Sequence, residues 1–107
     1  MQVTISSRHS ELTPPLRDYA EQKAVKLSKY YDRINDIEVV VASVKDAMRV
    51  EMIVHDEHRN KFIAHCQDGD AYACVDGCFA ILERQLSEHK KKLRNRKHSG
   101  QANHGLA

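Results

Sequence analysis

No stretch of this chain is apolar for long enough to cross a bilayer, and its first residues, MQVTISSRHS, lack the apolar core of a secretion signal. A soluble protein of the cytoplasm, with no membrane partner, is the expectation. Cysteine is scarce and odd in number, three in 107 residues, which suits a reducing compartment better than a disulfide framework. The four glycines, Gly69, Gly77, Gly100 and Gly105, are dispersed, so they cannot assemble a phosphate-cradling loop. Neither a nucleophile elbow nor an H-E-x-x-H helix occurs. The chain is therefore not expected to be an enzyme, to hold a cofactor or to bind a small-molecule substrate. It also has no internal repeat and no linker, and its length suits one domain.

What the chain does have is one segment, Asp70 to His98, with two signals written onto it. Ala71, Val75, Cys78, Phe79, Leu82 and Leu86 recur at steps of three and four and so line one helical face. From Arg84 to Lys97 there are seven Lys or Arg against one acid, Glu88. That window carries +6 in a chain whose total is +2, so the remainder is net negative. The protein is polarised rather than basic, which directs one region toward a polyanion. A helix from Asp70 to about Arg94 is roughly 37 Å long against about 27 Å for an eight-residue strand, so its basic end should overhang any sheet beneath it.

Upstream, Val3 and Ile5 alternate with polar neighbours as in a half-buried strand. Thr13 as N-cap and Pro14 at the first helical position start a helix. In it Leu16, Tyr19, Ala20, Ala24, Leu27, Tyr30 and Tyr31 share a face, beside a stripe of Lys26, Lys29 and Arg33 with Lys23 at its margin. Asp32 to Asp36 reads as the exit turn, with Ile34 as an apolar anchor. Ile37–Val44, Met48–His55 and Lys61–Gln67 read as strands, joined at Lys45–Asp46 and by the polar tip Asp56–Asn60. Asp68 or Asp70 can cap the long helix. This order, β-α-β-β-β-α, predicts a single α+β domain. A right-handed crossover sets the first two strands parallel, the hairpins complete a four-stranded sheet, and both helices pack on one face. The domain is assigned to residues 1–98, and the tail 99–107, SGQANHGLA, is predicted to be disordered.

The leading candidate site is the basic surface: Lys23, Lys26, Lys29 and Arg33 from the first helix, and Arg84, Lys90, Lys91, Lys92, Arg94, Arg96 and Lys97 from the second. Side by side on a sheet, the two margins can meet in one patch suited to the phosphates of a folded RNA. The plainer alternative is a solvated helix end whose lysines complement the dipole. Cys66, Cys74 and Cys78 with His65 could be read as metal ligands, but the tighter C-x2-C knuckle is missing and small apolar packing accounts for them, so no metal is expected. His89 lacks the partners of a catalytic base and is expected to border the core or contact phosphate. Gly77 inside the helix implies a close backbone approach. Tyr30 and Tyr31 lie on the apolar face, which favours core packing over base stacking. The open strand face lacks the paired aromatics of an RNA-stacking sheet.

The run DAYACVDGCFAILERQLSEHKKKL, preceded by TPPLRDYAEQKAVKLSKYYDRI, resembles the ribosome hibernation promoting factors, also called ribosome-associated inhibitors or protein Y. The Tyr30-Tyr31-Asp32-Arg33-Ile34 turn, the Asp70-x-Tyr72-Ala73-x-x-Asp76 helix start and Arg84-Gln85-Leu86-x-x-His89-Lys90-x-Lys92 carry the resemblance across residues 1–93. It implies a partner, the small ribosomal subunit and its rRNA. The domain would lodge in the mRNA and tRNA channel of that subunit and silence translation under stress, with another hibernation factor as a further implied partner. By matched position it implies rRNA contacts from Lys23, Lys26, Arg84, Lys90 and Lys92, while Glu88 departs from a position where basic residues are common. The C-terminal domain that long members use to pair ribosomes has no counterpart here, so a short form is the closer analogy. A general double-stranded-RNA-binding module is the main alternative, and a self-associating structural domain a third.

Overall fold

The computed structural model describes residues 1–102, with side chains as far as Asn95. Strand β1 (Gln2–Arg8) leads to helix α1 (Pro14–Lys26), which tightens into a 3-10 turn at Leu27–Lys29. Strands β2 (Ile34–Val44), β3 (Ala47–Asp56) and β4 (Lys61–Asp68) follow, and helix α2 (Ala71–Ala102) closes the chain. The sheet order is β1-β2-β3-β4, with β1 parallel to β2 and the other two pairings antiparallel. This is the α+β arrangement the element order predicts.

Local sequence accounts for the starts of both helices. Thr13 is extended and its hydroxyl accepts from the Leu16 N–H at 3.4 Å, with prolines at the first two helical positions. Asp70 Oδ1 accepts from the Tyr72 N–H at 2.9 Å, while Asp68 Oδ1 holds the Asp70 N–H at 2.9 Å. Both acids are thus used at this terminus.

The core follows the two periodicities. Ile37, Val39 and Val41 of β2 and Val50, Met52 and Val54 of β3 are fully buried beneath Ala20, Ala24 and Leu27 on one side and Val75, Cys78, Leu82 and Leu86 on the other. At about 25 cal/mol per Å² of apolar surface, this shared face is the main stabilising term. The helices run parallel: Tyr19 meets Tyr72 (ring centroids 5.2 Å), Tyr30 meets Phe79 (6.1 Å) and Tyr31 meets His89 (5.2 Å). Their C-terminal ends therefore lie at one end of the molecule.

Several boundaries differ from expectation: α1 gives way to the 3-10 turn at Leu27, so Tyr30 and Tyr31 follow the helix rather than belong to it, β3 starts one residue earlier at Ala47 and β4 ends one later at Asp68. Strand β2 begins at Ile34, assigned above to the exit turn, because Ile34 is buried and pairs with Asp56 before an irregularity between Ile34 and Asp36. Strand β3 continues to Asp56, taking that residue out of the polar tip. Helix α2 runs past Arg94 to Ala102, since Lys, Arg and Gln are good helix formers and the sequence breaks only weakly at Ser99 and Gly100. Of the expected tail, residues 99–102 belong to that helix and 103–107 lie outside the described residues.

Gly77 is explained by the sheet. A Cβ there would lie 2.6 Å from Cys66 Sγ on β4. Beside it, the Cys78 and Cys74 thiols donate to the strand carbonyls of Val50 (3.2 Å) and Met48 (3.4 Å). Burial, reinforced by the neighbouring Cys66, pushes the Cys78 thiol up to about 12. These side chains are packing groups that let α2 approach the sheet closely. Gly77→Ala should therefore lower stability by about 1–2 kcal/mol in urea unfolding, because overpacking outweighs the helix-propensity gain of about 1 kcal/mol. In a Cys66→Ala background the same change should become neutral or stabilising. Stabilisation by Gly77→Ala alone would show that the close approach does not limit packing.

Candidate nucleic-acid interface

The alternation that buries Val50, Met52 and Val54 carries on one step to Asp56, so β3 delivers a carboxylate to the covered side, where it is 3 % exposed. An unpartnered buried carboxylate costs several kcal/mol, and here donors converge on it. The Tyr31 hydroxyl (2.8 Å) and Asn60 Nδ2 (2.9 Å) donate to Oδ2, and the backbone N–H groups of His58 (2.9 Å) and Asn60 (2.7 Å) donate to Oδ1. Burial pushes the Asp56 carboxyl up, but the hydrogen bonds from Asn60, Tyr31 and the two backbone groups outweigh it and hold the carboxyl below its ordinary value. Burial, with the Asp56 hydrogen bond, pushes the Tyr31 hydroxyl up to about 12. Tyr31 is thus a core residue, as the apolar face read from the sequence predicts, and it is the donor that ties the exit of α1 to the β3–β4 tip.

The same carboxylate reaches α2. His89 Nε2 lies 3.9 Å from Asp56 Oδ2 and 3.4 Å from Asn60 Nδ2, and its ring packs edge-on against Tyr31 and Phe62. His89 therefore borders the core, one of the two roles the sequence left open. The Arg33 carbonyl accepts from the Glu57 N–H at 2.9 Å, and the Arg33 guanidinium lies 3.7 Å from the Glu57 carboxylate. Three segments distant in sequence are gathered at one end: the exit of α1, the β3–β4 tip and the second half of α2.

The candidate cations fall into distinct positions around this end. Lys26, Lys29 and Arg33 are exposed on the exit of α1, and Arg84, Lys90, Lys91, Lys92 and Arg94 are exposed on α2. On the 3.6-residue repeat, Lys90 and Arg94 continue the line of Phe79 and Glu83, which borders Tyr30 of the α1 exit. Lys91 follows Arg84 by two turns on the outer side. Lys92 follows Gln85, whose amide Nε2 donates to the Ile63 carbonyl of β4 at 3.4 Å. The basic half of α2 is therefore charged on several sides, more a prong than a single stripe. Glu88 follows Ile81 by two turns, on the flank away from the α1 exit, so it does not interrupt the Lys90–Arg94 line.

Lys23 behaves differently. Its Nζ lies 3.5 Å from Asp76 and 4.8 Å from the Phe79 ring centroid, and Asp76 also accepts from the Tyr19 hydroxyl at 2.5 Å. Its charge is partnered in a clamp between the helices. Among the described residues, no ion pair is found for Lys26, Lys29, Arg84, Lys90, Lys91, Lys92 or Arg94. The side chains of Arg96 and Lys97 lie outside those described. Beyond Asp56 and Asn60, which the sequence offers only as part of a polar tip, His58 and Arg59 are exposed beside them, with Arg59 in the left-handed region (φ 66°). The available signal was the β3 alternation, which puts an acid at an inward position just before them.

Comparison with known proteins bears on this arrangement. A family model described as "Sigma 54 modulation protein / S30EA ribosomal protein" matches residues 3–94. The chain belongs to this family. Within the S30EA family, a "Ribosome hibernation promoting factor" of Pseudomonas putida is 35% identical over 92 residues, spanning 86% of this chain and 89% of the relative. The protein of that name from Escherichia coli (strain K12) is 35% identical over 94 residues, spanning 88% and 98%. Among solved structures, a ribosomal subunit interface protein from Coxiella burnetii superposes with a TM-score of 0.78 at 25% identity, covering 85% of this chain and 99% of that one. The N-terminal domain of Thermus thermophilus Protein Y gives 0.75 at 28% identity, covering 83% and 99%. The resemblance drawn from the Tyr30–Ile34 turn and the α2 motifs is therefore correct at the level of the family.

The Asp56 cluster makes this end pH-sensitive in a defined sense. A carboxyl held below its ordinary value contributes stability that is present above the unfolded-state pKa and lost as pH falls through the folded value. Tyr31, held above its ordinary value, contributes stability that is lost as pH rises from about 10 toward about 12. Tyr31→Phe should cost about 1–3 kcal/mol at neutral pH and flatten both limbs of the stability–pH curve measured by thermal unfolding. An unchanged curve would show that the Tyr31–Asp56 bond contributes nothing.

Proposed function

We propose that this protein binds the small ribosomal subunit in the cytoplasm. The exposed cations around the C-terminal ends of α1 and α2 would contact rRNA, occupying the mRNA and tRNA channel and so holding ribosomes inactive under stress. The supporting observation is the convergence of exposed Lys and Arg, all but Arg33 without an ion pair among the described residues, from segments far apart in sequence onto one end, on a chain whose remainder is net negative. Such an arrangement suits phosphates presented by folded RNA. Relatives named for ribosome hibernation and for the ribosomal subunit interface support the choice of partner. The mode of action is occlusion. Lys26, Lys29, Arg33, Arg84, Lys90, Lys91, Lys92 and Arg94 supply the contacts, with Arg59 added from the tip, and Lys23 holds the helices together while lying behind them. A second hibernation factor could act alongside.

If about five phosphates are neutralised, log K for small subunits should fall against log salt with a slope of roughly −3.5 to −4.5. Lys90→Glu and Lys26→Glu should each weaken co-sedimentation and shallow that slope, and saturating tRNA and mRNA should compete. Parent-like binding by both variants would refute the basic-end assignment. Indifference to tRNA and mRNA would refute channel occupancy, and equal affinity for any naked duplex would favour a general double-stranded-RNA module.

A further inference from the structure

Beside the Asp56 cluster lies a concave pocket of about 380 Å³ lined by His58, Asn60, His89 and Leu93. It sits at the small end of the range for ligand sites, with room for one flat ring system. Every lining residue has a cation as a chain neighbour: Arg59 lies between His58 and Asn60, Lys90 follows His89, and Lys92 and Arg94 flank Leu93.

The lining itself is unsuited to an anion. The Asn60 amide nitrogen is already committed, 2.9 Å from Asp56 Oδ2 and 3.4 Å from His89 Nε2. The Asp56 carboxylate lies directly behind His89, 3.9 Å from Nε2, and Leu93 offers only hydrocarbon. What remains is two imidazole rings, an apolar wall and the side-chain Oδ1 of Asn60, an acceptor for an N–H donor, the Asn60 backbone carbonyl being taken by the Asp56 N–H at 3.1 Å. The His89 ring is held by edge-on contacts with Tyr31 and Phe62, centroids 5.2 and 5.1 Å away. The His58 side chain is exposed, and among the described residues its one hydrogen bond is from the backbone N–H, 2.9 Å from Asp56 Oδ1.

Stacking faces plus a single edge acceptor, with the exposed cations Arg59, Lys90, Lys92 and Arg94 next in sequence to the lining residues, match an unstacked nucleobase in a single-stranded segment. We propose that this pocket takes one splayed base of the RNA whose phosphates the surrounding Lys and Arg hold, with His58 as the stacking lid and Asn60 reading the base edge. The inference rests on the RNA-binding reading above and adds a base-dependent component to it.

The test uses the full chain and single strands of about ten nucleotides, within the range of single-strand sites, bearing either adenines or an abasic backbone of equal charge. The adenine strand should bind about tenfold tighter at fixed salt. His58→Ala should reduce that preference to within about twofold without altering the salt slope, and His58→Tyr should retain it, since an aromatic ring restores the stack. An adenine strand no tighter than the abasic one, or binding of neither, overturns the pocket assignment. Salt-dependent binding of the parent to small subunits in the same series would then leave the phosphate contacts standing, whereas its absence would overturn both readings. Adenosine monophosphate is the third probe. Binding of it as tight as that of the strand would assign the pocket to free nucleotides and overturn the proposal.

Discussion

The carboxylate of Asp56 is the constraint on which the arrangement of this end depends. A charge taken out of water is stable only if donors replace its hydration, and Tyr31, Asn60 and the tip backbone do so here. Each of those donors belongs to a segment that must arrive in a fixed position. Tyr31 fixes the exit of α1, Asn60 and the His58 N–H fix the β3–β4 tip, and His89 brings in α2. Removing one partner leaves the others facing an uncompensated charge, so the cluster is cooperative. The consequence is positional: the exit of α1 and the β3–β4 tip share one end because a single buried group holds both, and the His89 ring, packed edge-on against Tyr31 and Phe62, sets the second half of α2 beside them.

Above this constraint the molecule divides its labour along α2. The first half provides the core, closing on the sheet through Gly77, Cys74 and Cys78, whose small side chains allow the approach. The second half leaves the sheet. The tip at Asn60 and the pocket at Leu93 mark the last support, and the backbone continues as helix to Ala102. Charge follows the same division. Lys23, in the supported part, is neutralised by Asp76 and packed on Phe79, whereas cations toward the free end have no ion pair among the described residues. Under the proposed function the first half of α2 is a foundation and the second half a probe for phosphate.

Much of this was legible because it is written in short-range periodicity. The three-and-four spacing of Val75, Cys78, Leu82 and Leu86 marks the buried face of α2, and the alternation of Ile37, Val39 and Val41 marks the inner face of β2. Crossover handedness then sets β1 parallel to β2. The features that escaped depend on partners remote in sequence. Asp56 looks like a turn residue until Tyr31, 25 positions away, supplies its donor. Ile34 looks like a loop anchor until Asp56 pairs with it, and Lys23 like one more surface cation until α2 supplies Asp76. Glu88, unexplained in the sequence, is accounted for by helical phase, lying on the flank away from the Lys90–Arg94 line.

The central claim is that the three segments gathered around Asp56 act as one RNA-facing unit. Hydrogen exchange of the full chain, free and bound to small ribosomal subunits, addresses it most directly. The account predicts joint protection of backbone amides in residues 26–33, 57–60 and 84–94, with little change at the outer edge of β1. Protection centred on β1 and β2, with those three segments unchanged, would contradict it.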